Sequence, residues 1–194
     1  MTFGGLPTRW EPDGTSRGLA VVAPGRAYSP SAPLLEHARL ALLQHGFTVQ
    51  QIWWDATTRG DEDPDARVRR HVEDVLAEEE ADHVVVVGKS LGTRAAAYAA
   101  ERALDAIWLT PLLIEPAQVE AIGSNAGRQL LVGGLADELW VADAARELAD
   151  GGCEVLEIAD ADHAMGTSDV VRTAEIHLEV ARAVDAFLAG LEAT

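Results

Sequence analysis

Three side chains far apart in the chain have the types needed for acyl transfer: Ser90, Asp137 and His163. A serine hydroxyl is a poor nucleophile near neutral pH. It needs a base to take its proton, and the base needs an acid to orient it. Ser90 stands in Gly88-Lys89-Ser90-Leu91-Gly92, directly after Val84-Val85-Val86-Val87. A nucleophile at the tip of a tight strand-to-helix turn has a strained backbone, so the residues two before and two after it must lack bulk. Both are glycine here. The same residues overlap the Gly-Lys-Ser tail of a phosphate-binding loop. That motif needs a further glycine five positions before Gly88, where the chain has His83, and its flexible loop is replaced by valines. No Gly-x-Gly-x-x-Gly follows an expected strand, so a dinucleotide site has no support either.

Asp137 follows the apolar run Leu130-Leu131-Val132-Gly133 across Gly134-Leu135-Ala136, in a loop beyond a strand's carboxyl end. The alternative is an N-cap aspartate for the helix that follows, and Glu138 and Asp143 are weaker rivals as the acid. His163 follows Val155-Leu156-Glu157-Ile158 by the acidic loop Ala159 to Asp162. His37, His45, His71, His83 and His177 all fall within or at the start of regular elements, which leaves His163 as the base. An oxyanion needs two backbone N–H donors. Leu91, after the nucleophile, supplies one. The loop Pro24-Gly25-Arg26-Ala27-Tyr28 supplies the other, with the Arg26 N–H as first choice and Ala27 second. Tyr28, Trp108, Leu112 and Trp140 stand near strand ends, where they either line an apolar acyl pocket or pack as ordinary core and rim. The Arg26 side chain either meets a substrate carboxylate or points to solvent, and Lys89 is expected to face away from the pocket.

The elements that must position these residues alternate strand and helix. Leu19 to Ala23 precedes a helix from Ala32 to His45, and Phe47 to Trp54 precedes one from Asp65 to Glu80. His83 to Gly88 precedes the alanine-rich helix Leu91 to Ala103, whose positive N-terminal end favours negative charge near Ser90. Ala106 to Thr110 follows, then Leu130 to Gly133 with a helix from Val141 to Asp150, then Glu154 to Ile158 with a long helix from Val170 to Gly190. In that last helix Val171, Leu178, Ala181, Val184 and Leu188 form the expected core stripe. This alternation specifies an α/β fold: a three-layer αβα sandwich on a mostly parallel sheet of about six strands. Numbered along the chain, the expected strand order is 2-1-3-4-5-6, with Thr2 to Trp10 as a short antiparallel edge strand. In such sheets, function gathers beyond the carboxyl ends of the strands.

Composition narrows the classes. At 194 residues the chain, 1–194, is expected to form a single domain. No apolar run reaches the length of about 20 residues needed for a membrane span. The N-terminus lacks a basic flank and an apolar stretch, so no secretory signal is expected there. The single cysteine, Cys153, fits a reducing, cytoplasmic location. A net charge of −17 argues against nucleic acid as a partner. The acidic runs Asp55 to Asp65 and Glu78-Glu79-Glu80 read as solvated surface. An exposed Trp53-Trp54 pair would mark an interface, and oligomeric state is otherwise open. The histidines and cysteine form no metal-ligand pattern, and neither metal nor organic cofactor is expected.

The elbow sequence, the serine–acid–histidine order and the alternation together resemble the α/β-hydrolase superfamily, in the neighbourhood of the dienelactone-hydrolase-like proteins. The resemblance covers nearly the whole chain. It implies Ser90 as nucleophile, His163 as general base and then acid, and Asp137 as its orienting partner. Members commonly carry His-Gly in the oxyanion loop, where this chain has Pro24-Gly25. Dienelactone hydrolases use a cysteine nucleophile, so the serine here argues against that substrate. The interval Pro111 to Gln129, under twenty residues, has no room for a cap domain. The expected activity is hydrolysis of a small carboxylic ester or thioester through an acyl-enzyme. The competing reading is a non-catalytic domain of the same fold that binds ligands or proteins; amide or C–C bond hydrolysis and acyl transfer are further alternatives the three residues do not separate.

Overall fold

The alternating pattern is carried into a seven-stranded sheet with helices on both faces. The computed structural model describes residues 2–3, 6–54, 62–79 and 81–192. The strands are β1 (Thr2–Phe3), β2 (Leu6–Pro7), β3 (Arg9–Trp10), β4 (Gly18–Ala23), β5 (Phe47–Gln51), β6 (Val84–Lys89), β7 (Asp105–Leu109), β8 (Gln129–Gly134) and β9 (Glu154–Ile158). The helices are α1 (Pro33–Gln44), α2 (Pro64–Ala77), α3 (Ala96–Arg102), α4 (Pro116–Ser124), α5 (Ala142–Asp150) and α6 (Val170–Glu192). β1 and β2 pair with each other; the large sheet runs β3-β5-β4-β6-β7-β8-β9. Its six parallel strands therefore lie in the order the sequence specifies, and β3 adds antiparallel to β5 at one edge, pairing Trp10 with Val49.

Strand alternation divides the apolar residues between two layers. Ala20, Val22, Val85, Val87, Ile107 and Leu109 face α1 and α6, packing with Leu34, Leu42, Val180 and Phe187. Leu19, Val21, Val86, Ala106, Trp108 and Leu131 face α2 to α5, packing with Val72, Ala99, Ile122 and Leu148. Valine suits β6 because a β-branched side chain fits a pleated surface covered on both sides. Helix starts follow local chemistry: α1, α2 and α4 each begin at a proline, and Asp63 accepts from the amides of Asp65 and Ala66 at the start of α2.

Two expectations are corrected. The helix after Ser90 begins as a 3₁₀ turn, Ser90–Ala95, and becomes α-helical only at Ala96. The Thr93 hydroxyl donates to the Ser90 carbonyl at 2.6 Å, holding the tight turn. The core stripe of α6 runs through Ile176, Val180, Val184, Phe187, Leu188 and Leu191, while Val171 and Leu178 are exposed. The face is set by where α1 and the sheet lie, and that puts both residues of the expected stripe's first half in solvent. Trp53 and Trp54 are both half-buried. Of the acidic runs, residues 55–61 and Glu80 lie outside the described residues. Among the described residues, no helix is long and apolar enough to cross a membrane.

Candidate active site

Four loops beyond the carboxyl ends of β4, β6, β8 and β9 meet around one cleft. Its volume is about 700 Å3, and its walls come from Gly25 to Tyr28, Lys89, Ser90, Ala136 to Leu139 and Asp162 to Ala164. Ser90 is held at φ 51°, a left-handed conformation that a non-glycine residue adopts at a cost of order 1 kcal/mol. Close packing compels that turn. A Cβ on Gly88 would lie 2.7 Å from the Gly92 carbonyl oxygen, and one on Gly92 would lie 2.0 Å from the Ala23 carbonyl oxygen. Both glycines are where backbone crosses backbone.

The structure brings Ser90, His163 and Asp137 together. Ser90 Oγ lies 2.8 Å from His163 Nε2, and His163 Nδ1 lies 2.7 Å from Asp137 Oδ2. Asp137 is buried, and its other oxygen, Oδ1, accepts the Leu139 amide at 2.9 Å. It therefore sits in a turn ahead of α5 rather than capping that helix, whose N-cap is Val141. With both oxygens engaged the carboxylate cannot rotate, and it fixes His163 with Nε2 toward the serine. Asp162 does not contact the ring. Its Oδ1 accepts from Ala164 and Gly166, closing a tight turn around His163 in which Met165 has φ 59°. Asp160 is drawn away by Arg172, which grips it through two nitrogens at 2.8 and 2.9 Å.

The β4 loop faces Ser90 across the cleft. Arg26 and Ala27 line it and are exposed. Among the described residues, neither the Arg26 nor the Leu91 N–H enters a turn or loop hydrogen bond. The Trp54 indole, in the segment after β5, donates to the Gly25 carbonyl at 3.1 Å and braces this loop.

The four expected pocket residues divide. Tyr28 lines the cleft, and its hydroxyl accepts from the Leu34 amide at 3.1 Å; burial pushes its pKa up, against that hydrogen bond. Trp108 does not reach the cleft. It is fully buried on the α2–α5 face, donating to Gln129 at 2.9 Å, because its place within β7 rather than beyond it fixes its direction. Trp140 packs over Gly133 and donates to Glu157 at 2.7 Å, also away from the cleft. Leu112 is half-buried after β7 and is not part of the wall. Lys89, expected to face away, lines the cleft and donates from Nζ to the His163 carbonyl at 2.8 Å. Strand parity carries the missed signal: Lys89 continues the row Val85, Val87, which faces the layer the β9–α6 loop crosses. Among the described residues, no group of three or more His, Cys, Asp or Glu side chains is placed to hold a metal ion.

No family model matches the sequence, and no curated protein matches it. Solved structures do match along nearly the whole chain. Est1E from Butyrivibrio proteoclasticus with ferulic acid bound has a TM-score of 0.77 at 14% identity, covering 96% of this chain and 94% of that one. XC6422 from Xanthomonas campestris, described as an α/β serine hydrolase without lid, has a TM-score of 0.69 at 18% identity, covering 94% and 87%. A putative hydrolase of the α/β superfamily from Xanthomonas campestris pv. campestris has a TM-score of 0.69 at 21% identity, covering 92% and 100%. Between β7 and β8 this chain carries α4 and nothing larger. The chain has the α/β-hydrolase fold, in a compact form without a cap domain.

Proposed function

We propose that the protein is a serine hydrolase that cleaves a carboxylic ester or thioester of a small acyl substrate. The observation that carries this reading is the continuous hydrogen-bonded line from Ser90 through His163 to Asp137, opening onto a cleft. In this reading His163 takes the Ser90 proton as the oxygen attacks the carbonyl carbon, and Asp137 stabilises the imidazolium that forms. The N–H groups of Leu91 and Arg26 hold the oxyanion. His163 then returns the proton to the leaving alcohol or thiol. Water, deprotonated by the same imidazole, releases the acid from the acyl-serine and restores the hydroxyl.

Tyr28, Ala27, Ala136, Leu139 and Ala164 give the acyl group largely apolar walls, and Arg26 adds a cation at the mouth. The ferulic acid bound in the similar Est1E structure gives hydroxycinnamoyl esters a place beside short acyl esters and thioesters in a substrate panel. The first test is a fluorophosphonate probe read by intact mass. One adduct on the parent and none on Ser90→Ala supports the reading, and the panel then separates esters from thioesters. A folded parent that takes no adduct refutes it and favours a ligand-binding domain of the same fold.

A further inference from the structure

Lys89 is unusual in its setting. It is a lysine only 2% exposed, next to the nucleophile, on the last position of β6. Its stem runs beneath the β4 loop: a Cβ on Gly25 would approach its Cδ to 3.3 Å, so glycine there leaves the stem its room. Its Nζ lies 4.9 Å from the centre of the Tyr28 ring, which offers a π face to the charge. The hydrogen bond it donates goes to the backbone of His163. His163 is thus held at three points: Nδ1 by Asp137, Nε2 by Ser90, and its carbonyl by the residue preceding Ser90.

We propose that Lys89 is a positioning residue: its ammonium, bonded to the His163 carbonyl, ties the loop that carries the base to the strand that carries the nucleophile. The proposal rests on the reading of Ser90, His163 and Asp137 as catalytic. The geometry argues for it because the β9–α6 loop has its own internal closure, by Asp162, but that closure fixes the turn's shape and not its distance from β6. Lys89 supplies a direct bond from β6 to the backbone of this loop, beside the Ala136 amide's bond to the Ala161 carbonyl from the β8 loop. A buried ammonium is costly, and hydrophobic residues fill such a space more cheaply, so a bond to the loop bearing the base explains the lysine better than packing does. The charged groups facing it are Asp137 from the β8–α5 loop and Asp162 from the β9–α6 loop; His163 presents its carbonyl from the same loop, and Tyr28 faces it from the β4 loop.

The test uses the full chain with Lys89→Met, which keeps the stem without a donor, and Lys89→Gln, which keeps an uncharged N–H donor. Amide hydrogen exchange at Ala164, Met165 and Gly166 reads the loop whether or not any ester is turned over. Exchange there is expected to be about fivefold faster or more in the Met variant, and within about twofold of the parent in the Gln variant. On an ester the parent hydrolyses, Lys89→Met is expected to lower kcat about tenfold or more with KM within about twofold, and Lys89→Gln to recover to within about threefold. The split between kcat and KM, with recovery by an uncharged donor, is a readout that packing alone would not move. Unchanged loop exchange in both variants overturns the proposal, even if Ser90 labels and turns over. Faster exchange in Lys89→Met, in a protein that no ester panel finds active, keeps the tether and removes the hydrolase reading instead.

Discussion

The Trp54 indole reaches from the segment after β5 to the Gly25 carbonyl, 3.1 Å away, so the loop that carries Arg26 is braced by a residue following the neighbouring strand. Trp54→Phe keeps the ring's contact with His71 and removes only the donor. The expected cost is about 1 kcal/mol of stability, the net worth of one such hydrogen bond. In the proposed mechanism kcat falls about three- to tenfold with KM little changed, because a loosened loop presents its N–H less well to the oxyanion. Steady-state kinetics beside a denaturant melt checks both halves.

Two glycine-to-alanine changes should have opposite signs. Gly92→Ala drives a Cβ to 2.0 Å from the Ala23 oxygen, backbone against backbone, and the turn around Ser90 cannot form beside β4. That variant is expected to lose fluorophosphonate labelling and to melt well below the parent. Gly123→Ala lies in α4, where the added Cβ comes only to 3.4 Å from the flexible Leu148 Cδ2. It should stabilise by about 0.5 kcal/mol, chiefly by restricting the unfolded chain. Paired thermal melts decide the matter.

Asp137→Asn is nearly isosteric and leaves the Leu139 amide an acceptor, so the fold should survive with its melting temperature within a few degrees. An amide facing His163 Nδ1 can present its NH2 and favour the wrong tautomer, leaving Nε2 protonated toward Ser90. In the proposed mechanism kcat falls about a thousandfold or more. Labelling slows in step while far-ultraviolet circular dichroism is unchanged.

Lys89 also gives stability a pH dependence of determined sign. Burial lowers its folded pKa from 10.5 to about 8, with Asp137 and Asp162 opposing the shift. Between those two pH values the unfolded chain holds the proton and the folded one does not, so stability from this group rises with pH through that window. The shift corresponds to a penalty of roughly 3 kcal/mol at pH 7. Lys89→Met removes the penalty. Its unfolding free energy relative to the parent should therefore be highest near pH 7 and fall by about that amount on going to pH 10.5, as urea melts at the two pH values would show.

What could be read from the sequence was whatever depends on chain order and strand ends. The six parallel strands and their order follow from alternation and from right-handed crossovers, and Ser90, Asp137 and His163 all stand just beyond a strand's carboxyl end. What depends on direction was less legible. Trp108 and Trp140 are aromatic and near strand ends, yet one side of the sheet takes both into its core. In α6 the expected stripe holds at Val184 and Leu188 and fails at Val171 and Leu178, because alanine and valine recur on several sides of that helix and only the position of α1 chooses among them. Lys89 was missed for a different reason. Lysine is rarely buried, and its destination depends on a loop more than seventy residues further along the chain.

With only α4 between β7 and β8, no described residue closes over Ser90. In the proposed reaction, substrate then enters and product leaves without waiting on a hinged element, so turnover is set by chemistry and diffusion rather than by gating. Water for release of the acyl group comes straight from bulk. The leaving portion of an ester can remain outside the protein altogether, so an acyl group hung on a long, branched or immobilised carrier fits this architecture as readily as a free one.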